Sequence, residues 1–372
     1  MSETTTGRGR TALPDPATFN EREESRLTDE DRALASAAAA KRRHQRTARE
    51  LRALVKLLEG ELEGEKAKTE FLLNVHDAPE AVHRIEPAPR RRRKPRTVSG
   101  ANLSDVHAEE TVDPATVNWR NTYNLEVAEE RLDRYFRNVV ALWKKEAKEA
   151  DVYQHLQWFG GDLMTGHLHK DAVESNALAP YETALWLRPR IKAGLELLRG
   201  ELDCPIQVVW SFGNHGRDGK KPRVATAAAH NLDWMLGHLV AEDMAGVDGL
   251  KFLVAPGYHQ YVELENGYVI RYHHGDWTRY QGGVGGLTIP LNKAIDAWNK
   301  NIPADLDVLG HWHSTFDLPY LVVNGSLIGW NAYAIKIKAR YEPPRQSFFL
   351  VDVDRREKTG FFPVHVAGKG ES

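Results

Sequence analysis

Five times between Asp105 and His313 a strand-like run ends in residues able to hold a metal ion, and this recurrence narrows the possible folds more than any other feature of the chain. The apolar runs Ile206–Trp210, Phe252–Val254, Tyr268–Tyr272, Val308–Leu309 and Tyr320–Val323 are bounded by Gly, Asn and Asp, as strands are. Between them the apolar spacing becomes helical over Glu126–Lys148, Tyr181–Leu198, Ala225–Val240 and Leu291–Asn299. Strands and amphipathic helices interspersed in this way predict an α/β layered domain over 97–366. Thr97–Leu103, the strand before Asp105, is less apolar than a buried strand usually is.

Each cluster has an ordinary reading beside the chemical one. In an extended segment residues i and i+2 point the same way, so Asp105 and His107 can offer a carboxylate and an imidazole to one ion. An isolated Asp-x-His is nonetheless common by chance. Asp162 follows Gly160 and Gly161, which suit a close backbone approach, and its two oxygens can bridge two cations; a turn aspartate would look the same. Asn214 offers a carbonyl oxygen beside the imidazole of His215, in what is otherwise a glycine-flanked turn. His273 and His274 end one run, and an extended chain points them to opposite faces. His311 and His313 share a face by the same period of two. Sixteen histidines is a high count for 372 residues, and these clusters hold six of them.

In order, Asp-x-His, Gly-Asp, Gly-Asn-His, His-Gly and Gly-His-x-His, spaced about 40 to 60 residues apart, resemble the calcineurin-like metallophosphoesterase superfamily. The tone is also similar to phage and bacterial homologues of the double-strand-break-repair nucleases. The resemblance implies a two-sheet β-sandwich flanked by helices and a centre of two divalent ions. Asp105, His107, Asp162 and His313 would hold the first ion; Asp162, Asn214, His274 and His311 would hold the second, with Asp162 bridging. A metal-bound hydroxide would attack phosphorus, and His215 would act as general acid or as a clamp on the phosphoryl oxygens. Imidazole, carboxylate and amide without thiolate favour Mn²⁺ foremost, with Fe, Zn²⁺ or Ni²⁺ also suited. The family's acidic residue after Asn-His is replaced by Gly216 and Arg217, so a carboxylate orienting His215 must come from elsewhere, and Arg217 is a candidate phosphate contact. His167 and His169 could also reach the cleft. Gly282, Gly283, Gly285 and Gly286 suggest a mobile loop over it, and Asn324-Gly325 reads as a hairpin turn.

Ahead of this domain, 1–27 reads as a disordered lead-in and 28–78 as a helical extension opened by Thr28 and Asp31. Leu51, Leu54, Val55, Leu58 and Leu62 form an apolar stripe that needs a partner surface, either the main domain, another copy or a partner subunit, although Gly60 and Gly64 weaken the helix. A Pro/Arg linker over 79–96 carries six basic residues in seven positions from Arg90 to Arg96. It is either solvated spacer or, through Arg91, Arg92 and Arg93, a hold on nucleic acid. Residues 367–372 form a flexible tail. Net charge of −2 excludes a uniformly polycationic protein, and no apolar run reaches the roughly 18 residues of a membrane span. One cysteine, Cys204, cannot form an internal disulfide, and the N-terminus lacks a secretory pattern, so a cytoplasmic setting is expected. The expected activity is metal-dependent hydrolysis of a phosphodiester, most naturally nucleic acid. A phosphatase on a nucleotide or phosphoprotein shares the same centre, and a non-catalytic nucleic-acid-binding or assembly protein would keep only the fold.

Overall fold

The computed structural model describes residues 28–76, 93–167, 174–279 and 286–368, the side chains of 71–76 excepted. The expectations for 1–27, Arg90–Arg92, His169, Gly282, Gly283, Gly285 and the last four residues lie outside them. The chain divides into two units, 1–89 and 90–372.

In the first unit α1 (Asp29–His76) begins at a reciprocal cap: Asp31 N donates to Thr28 Oγ1 at 3.3 Å, while Thr28 N donates to Asp31 Oδ2 at 3.0 Å. The helix continues through Gly60 and Gly64.

The second unit places the chain in layers. Its elements are β1 (Arg96–Leu103), α2 (Leu125–Glu146), β2 (Asp151–Phe159), α3 (Pro180–Glu201), β3 (Ile206–Trp210), α4 (Leu232–Asp243), β4 (Leu250–Leu253), β5 (Gln260–Glu263), β6 (Val269–His273), α5 (Thr288–Asn299), β7 (Leu306–Leu309), β8 (Phe316–Leu318), β9 (Leu321–Val323), α6 (Ala332–Lys336), β10 (Arg345–Asp352) and β11 (Glu357–His365). One sheet has the order β11-β10-β1-β2-β3-β4 and the other β5-β6-β7-β9-β8. Strands β1 to β4 run parallel, as do β6, β7 and β9, while β10, β11, β5 and β8 pair antiparallel at the flanks.

The period of two along each strand divides the core. Ile206, Val208 and Trp210 face the helices, packing with Leu132 and Tyr135 of α2, Leu187 and Leu195 of α3 and Leu236 of α4. Val209 faces the other way, meeting Leu156, Ile270, Tyr272, Val308 and Val322 between the two sheets. On the far side of the second sheet, Leu309, Leu321 and Val323 pack on Leu291 and Ile295 of α5. The result is a two-sheet α/β sandwich flanked by helices.

The modest apolarity of β1 has a local cause. Its buried polar side chains are partnered, Ser99 Oγ with His155 Nδ1 at 2.8 Å and Asn102 Nδ2 with Ser347 Oγ at 2.9 Å. At Gly100 the ring of Phe349 fills the place of a side chain; a Cβ there would lie 2.2 Å from it.

Two expectations fail. Asn324-Gly325 is not a hairpin turn, because Leu327–Ile328 is not a strand; β8 is the antiparallel partner of β9. The Asn324 amide is instead buried, donating to Ser104 Oγ at 2.9 Å and Gln346 Oε1 at 2.6 Å. Arg96 is not a solvated linker residue either. It opens β1, pairs with Glu265 at 2.6 Å and lies 4.7 Å from the Tyr153 ring.

A candidate metal centre

The candidate ligands all follow the carboxyl ends of strands: Asp105 and His107 after β1, Asp162 after β2, Asn214 and His215 after β3, His274 after β6, His311 and His313 after β7. Parallel strands gather such ends along one edge, where α/β sheets commonly bind ligands. Five of these residues, Asp105, His107, Asp162, His311 and His313, have positive φ between 49° and 70°. Asp and His tolerate the left-handed region better than most residues, yet each such position still costs on the order of 1 kcal/mol. Strain concentrated on five polar side chains at one edge marks a constraint imposed by the site rather than by chain reversal.

Those side chains form two groups. Asp105, His107 and His313 bring ligand atoms within 4.8 Å of one another, and so do Asp162, His274 and His311. Asn214 Oδ1 lies 3.2 Å from His274 Nε2 and joins the second. His215 sits between the groups: its backbone N donates to Asp162 Oδ1 at 2.8 Å, and its ring meets that of His107 edge-on at 4.9 Å.

Outer partners fix which nitrogen faces inward. Thr165 Oγ1 donates to Glu110 Oε2 at 3.3 Å and so accepts Nδ1–H of His107 at 3.0 Å. Nδ1–H of His274 donates to Gly160 O at 2.7 Å, and Nδ1–H of His215 donates to Thr165 O at 2.9 Å. In each ring Nε2 is left pointing at the centre, the arrangement that second partners impose on ligating histidines. His107 Nε2 faces His313 Nε2 at 3.3 Å, and His311 Nδ1 faces His274 Nε2 at 3.3 Å. Each such pair is bridged either by one N–H, which the tautomer of His313 or His311 can supply, or by a metal ion in its place. The donor set therefore fits two divalent ions, one per group, and within the second group Asp162 contacts His274 Nε2 at 2.9 Å.

Electrostatics sharpen the point. Burial pushes His107 well below its ordinary value and His311 down to about 4, with neighbouring imidazoles adding to the effect. Burial acts on His274 in the same direction, but the Asp162 carboxylate prevails and raises it to about 10. His313 is raised too, Asp105 outweighing burial. The second group thus keeps the His274 proton at neutral pH, which a metal ion must displace. The affinity of the second group for its ion is expected to rise about tenfold per pH unit between pH 6 and 8, falling as acid is added. Calorimetric titration in buffers of different ionisation heat should show about one proton released as the second group fills; no release would contradict this balance.

Three supporting residues carry no sequence signal. Asp233, at the start of α4, accepts from the backbone N of Asp162 (3.0 Å), Leu163 (3.2 Å) and Gly213 (3.1 Å), tying two ligand loops together. Burial, reinforced by Asp162, raises its carboxyl to about 7. Glu109, which burial raises to about 7, accepts from Thr165 N at 3.0 Å and Gly166 N at 2.8 Å. Thr165 serves both His107 and His215. These loops approach so closely that a Cβ on Gly161, at φ 81°, would lie 2.3 Å from Gly213 N.

Some expected residues are placed elsewhere. His215 is oriented by the carbonyl of Thr165, so no carboxylate is needed for that task. Arg217 donates to Asn214 O at 2.7 Å and Gly219 O at 3.2 Å, bracing the loop instead of presenting its fork to a phosphate. His167 is exposed. Arg93 precedes β1, at the end of the strand remote from Asp105; eight strand residues separate the ends by about 26 Å. It is therefore not brought to the centre.

His273 faces away, fully buried against Trp298 (4.9 Å), His259 (5.1 Å) and Tyr258 (5.6 Å). His274→Ala is expected to release one ion selectively. His273→Ala should retain both ions yet lose about 2–4 kcal/mol of stability through the cavity it leaves. Metal analysis alongside denaturant unfolding separates the two, and loss of metal from His273→Ala would reverse the assignment.

No family model and no curated protein matches the sequence. Similar solved structures include Vps29 from Entamoeba histolytica complexed with Zn²⁺, with 10% identity and a TM-score of 0.29, covering 72% of this chain and 99% of that one. Another is the sulfate thiohydrolase SoxB from Thermus thermophilus in complex with glycerol, with 12% identity and a TM-score of 0.31, covering 77% of this chain and 59% of that one. Among the described residues no helix is long and apolar enough to cross a membrane.

Proposed function

We propose that the chain is a metallophosphoesterase of the calcineurin-like type, a two-metal hydrolase whose substrate is a phosphodiester of nucleic acid. The observation that carries this reading is the gathering of residues from all five sequence clusters at one edge, in two ligand groups that His215 contacts through Asp162 and His107. Two ions held there would supply charge to activate water and to stabilise the oxygens of an in-line displacement at phosphorus. The protein's own part is positioning. Thr165 holds His215 by Nδ1, so its Nε2 is aimed toward the place where a phosphoryl or leaving oxygen would sit. The buried walls around Asp105, Asp162 and His274 exclude bulk water and keep these charges effective.

Two features beside the centre support a nucleic-acid substrate. The loop continuing from His215 exposes Lys220, Lys221 and Arg223, a cluster suited to successive phosphates. Three residues after His274, Trp277 is 48% exposed and stacked on Tyr258 with ring centroids 3.8 Å apart and planes 3° from parallel. The Tyr258 hydroxyl fixes that loop by donating to Asp276 Oδ1 at 2.8 Å and accepting from Gly275 N at 3.0 Å. A braced, exposed indole is a platform on which a base can stack.

The test is a substrate panel run with Mn²⁺ and with chelator: single- and double-stranded DNA, RNA, a mononucleotide, a phosphopeptide and bis-p-nitrophenyl phosphate. Chelator-sensitive cleavage of a nucleic acid is expected. Replacing Lys220, Lys221 and Arg223 with Gln should flatten the slope of log affinity against log salt by about 2 for a single strand, while the small diester is cleaved as before. Hydrolysis of monoesters alone would make the protein a phosphatase, and no turnover at all would leave a binding scaffold.

A further inference from the structure

The helix α1 (Asp29–His76) presents Leu51, Leu54, Val55, Leu58 and Leu62 with 51–57% of each residue exposed. Leu51, Val55, Leu58 and Leu62 are spaced by four, three and four residues, the repeat of a coiled-coil seam. On that repeat Gly60 and Gly64 fall on the outer face, where they do not interrupt the contact.

We propose that this seam is covered by the same helix of a second copy, running antiparallel. The stripe is symmetric about the point between Lys56 and Leu57: reversed on itself, Leu51 meets Leu62 of the second copy and Val55 meets its Leu58. Charge chooses the direction. Residues 41–56 hold seven lysines and arginines against one glutamate, whereas residues 59–70 hold five glutamates against two lysines. A parallel pair would stack the cationic half on itself; an antiparallel pair lays it along the acidic half, and Arg52 comes opposite Glu59 of the second copy. Like-charge juxtaposition of that extent is strongly disfavoured, so the complementarity specifies orientation as well as partner. The inference is independent of the phosphoesterase reading.

The experiment uses the full chain. Sedimentation at about 10 μM, above the micromolar range in which short coiled coils associate, should give a dimer. The double variant Leu51→Glu/Leu58→Glu should give a monomer with unchanged metal content, which shows that the second unit is intact. A monomeric wild type, or a dimer that survives the double substitution, overturns the proposal. Orientation is read by spin labels at Ala39→Cys in a Cys204→Ala background. Antiparallel pairing places them about 50 Å apart and parallel pairing about 20 Å, so the shorter distance would refute the register.

Discussion

Asp162→Asn is expected to strip the centre of both ions. Asp162 is fully buried, and although burial alone would raise its carboxyl, the imidazoles of His274 and His215 hold it well below the ordinary carboxylate range. The carboxylate is therefore charged at neutral pH. An asparagine keeps the size of the side chain and an oxygen to accept His215 N, so the loops should stay in place. What it removes is the negative charge between two dications. Leaving such a charge uncompensated costs several kcal/mol; at about 4 kcal/mol the affinity falls on the order of 10³-fold. Mass spectrometry of the purified protein should show metal content dropping from about two ions per chain toward zero, with the unfolding transition of the metal-free form little changed. A variant that kept both ions would remove Asp162 from between the two groups.

Much of this centre was legible because each ligand pair is local in sequence. Asp105 with His107, Asn214 with His215, and His311 with His313 announce themselves within three residues, at the ends of runs whose apolar pattern also predicts strands. The alternation of a strand points His273 and His274 to opposite faces, and the resemblance selected His274, the residue before Gly275; in the structure the His274 ring points to Gly160 O and the His273 ring to Trp298. The supporting shell was hidden for a physical reason. Asp233 reads as an ordinary acidic residue in the first turn of a helix, and only the approach of the loops after β2 and β3 brings three backbone N–H groups to its carboxylate. Glu109 likewise has no partner nearby in sequence. Asn324-Gly325 misled for the converse reason: a dipeptide favoured in turns is used here for a buried amide between β1 and β10. The basic run offered a charge without a position. Once β1 is seen to run between Arg93 and Asp105, Arg93 lies at the end of the strand remote from the centre.

His215→Asn should leave the metals and lose the chemistry. Its Nδ1 is committed to Thr165 O at 2.9 Å, its backbone N to Asp162 Oδ1 at 2.8 Å, and neither of the two ligand groups includes its ring. An asparagine preserves the backbone contact, so Asp162 stays oriented and both ions should remain. The amide cannot donate a proton to a leaving oxygen, nor present a cation to the phosphoryl group. General acids contribute typically 10² to 10⁴ in rate, and kcat for bis-p-nitrophenyl phosphate should fall by about that factor. KM should change far less, because the ions still bind the ester. The division between kcat and KM is what a merely structural role would not produce, since a disordered loop would raise KM and shed metal together. If metal content collapses with turnover, His215 is a ligand; if turnover is unchanged, the proton is delivered from elsewhere.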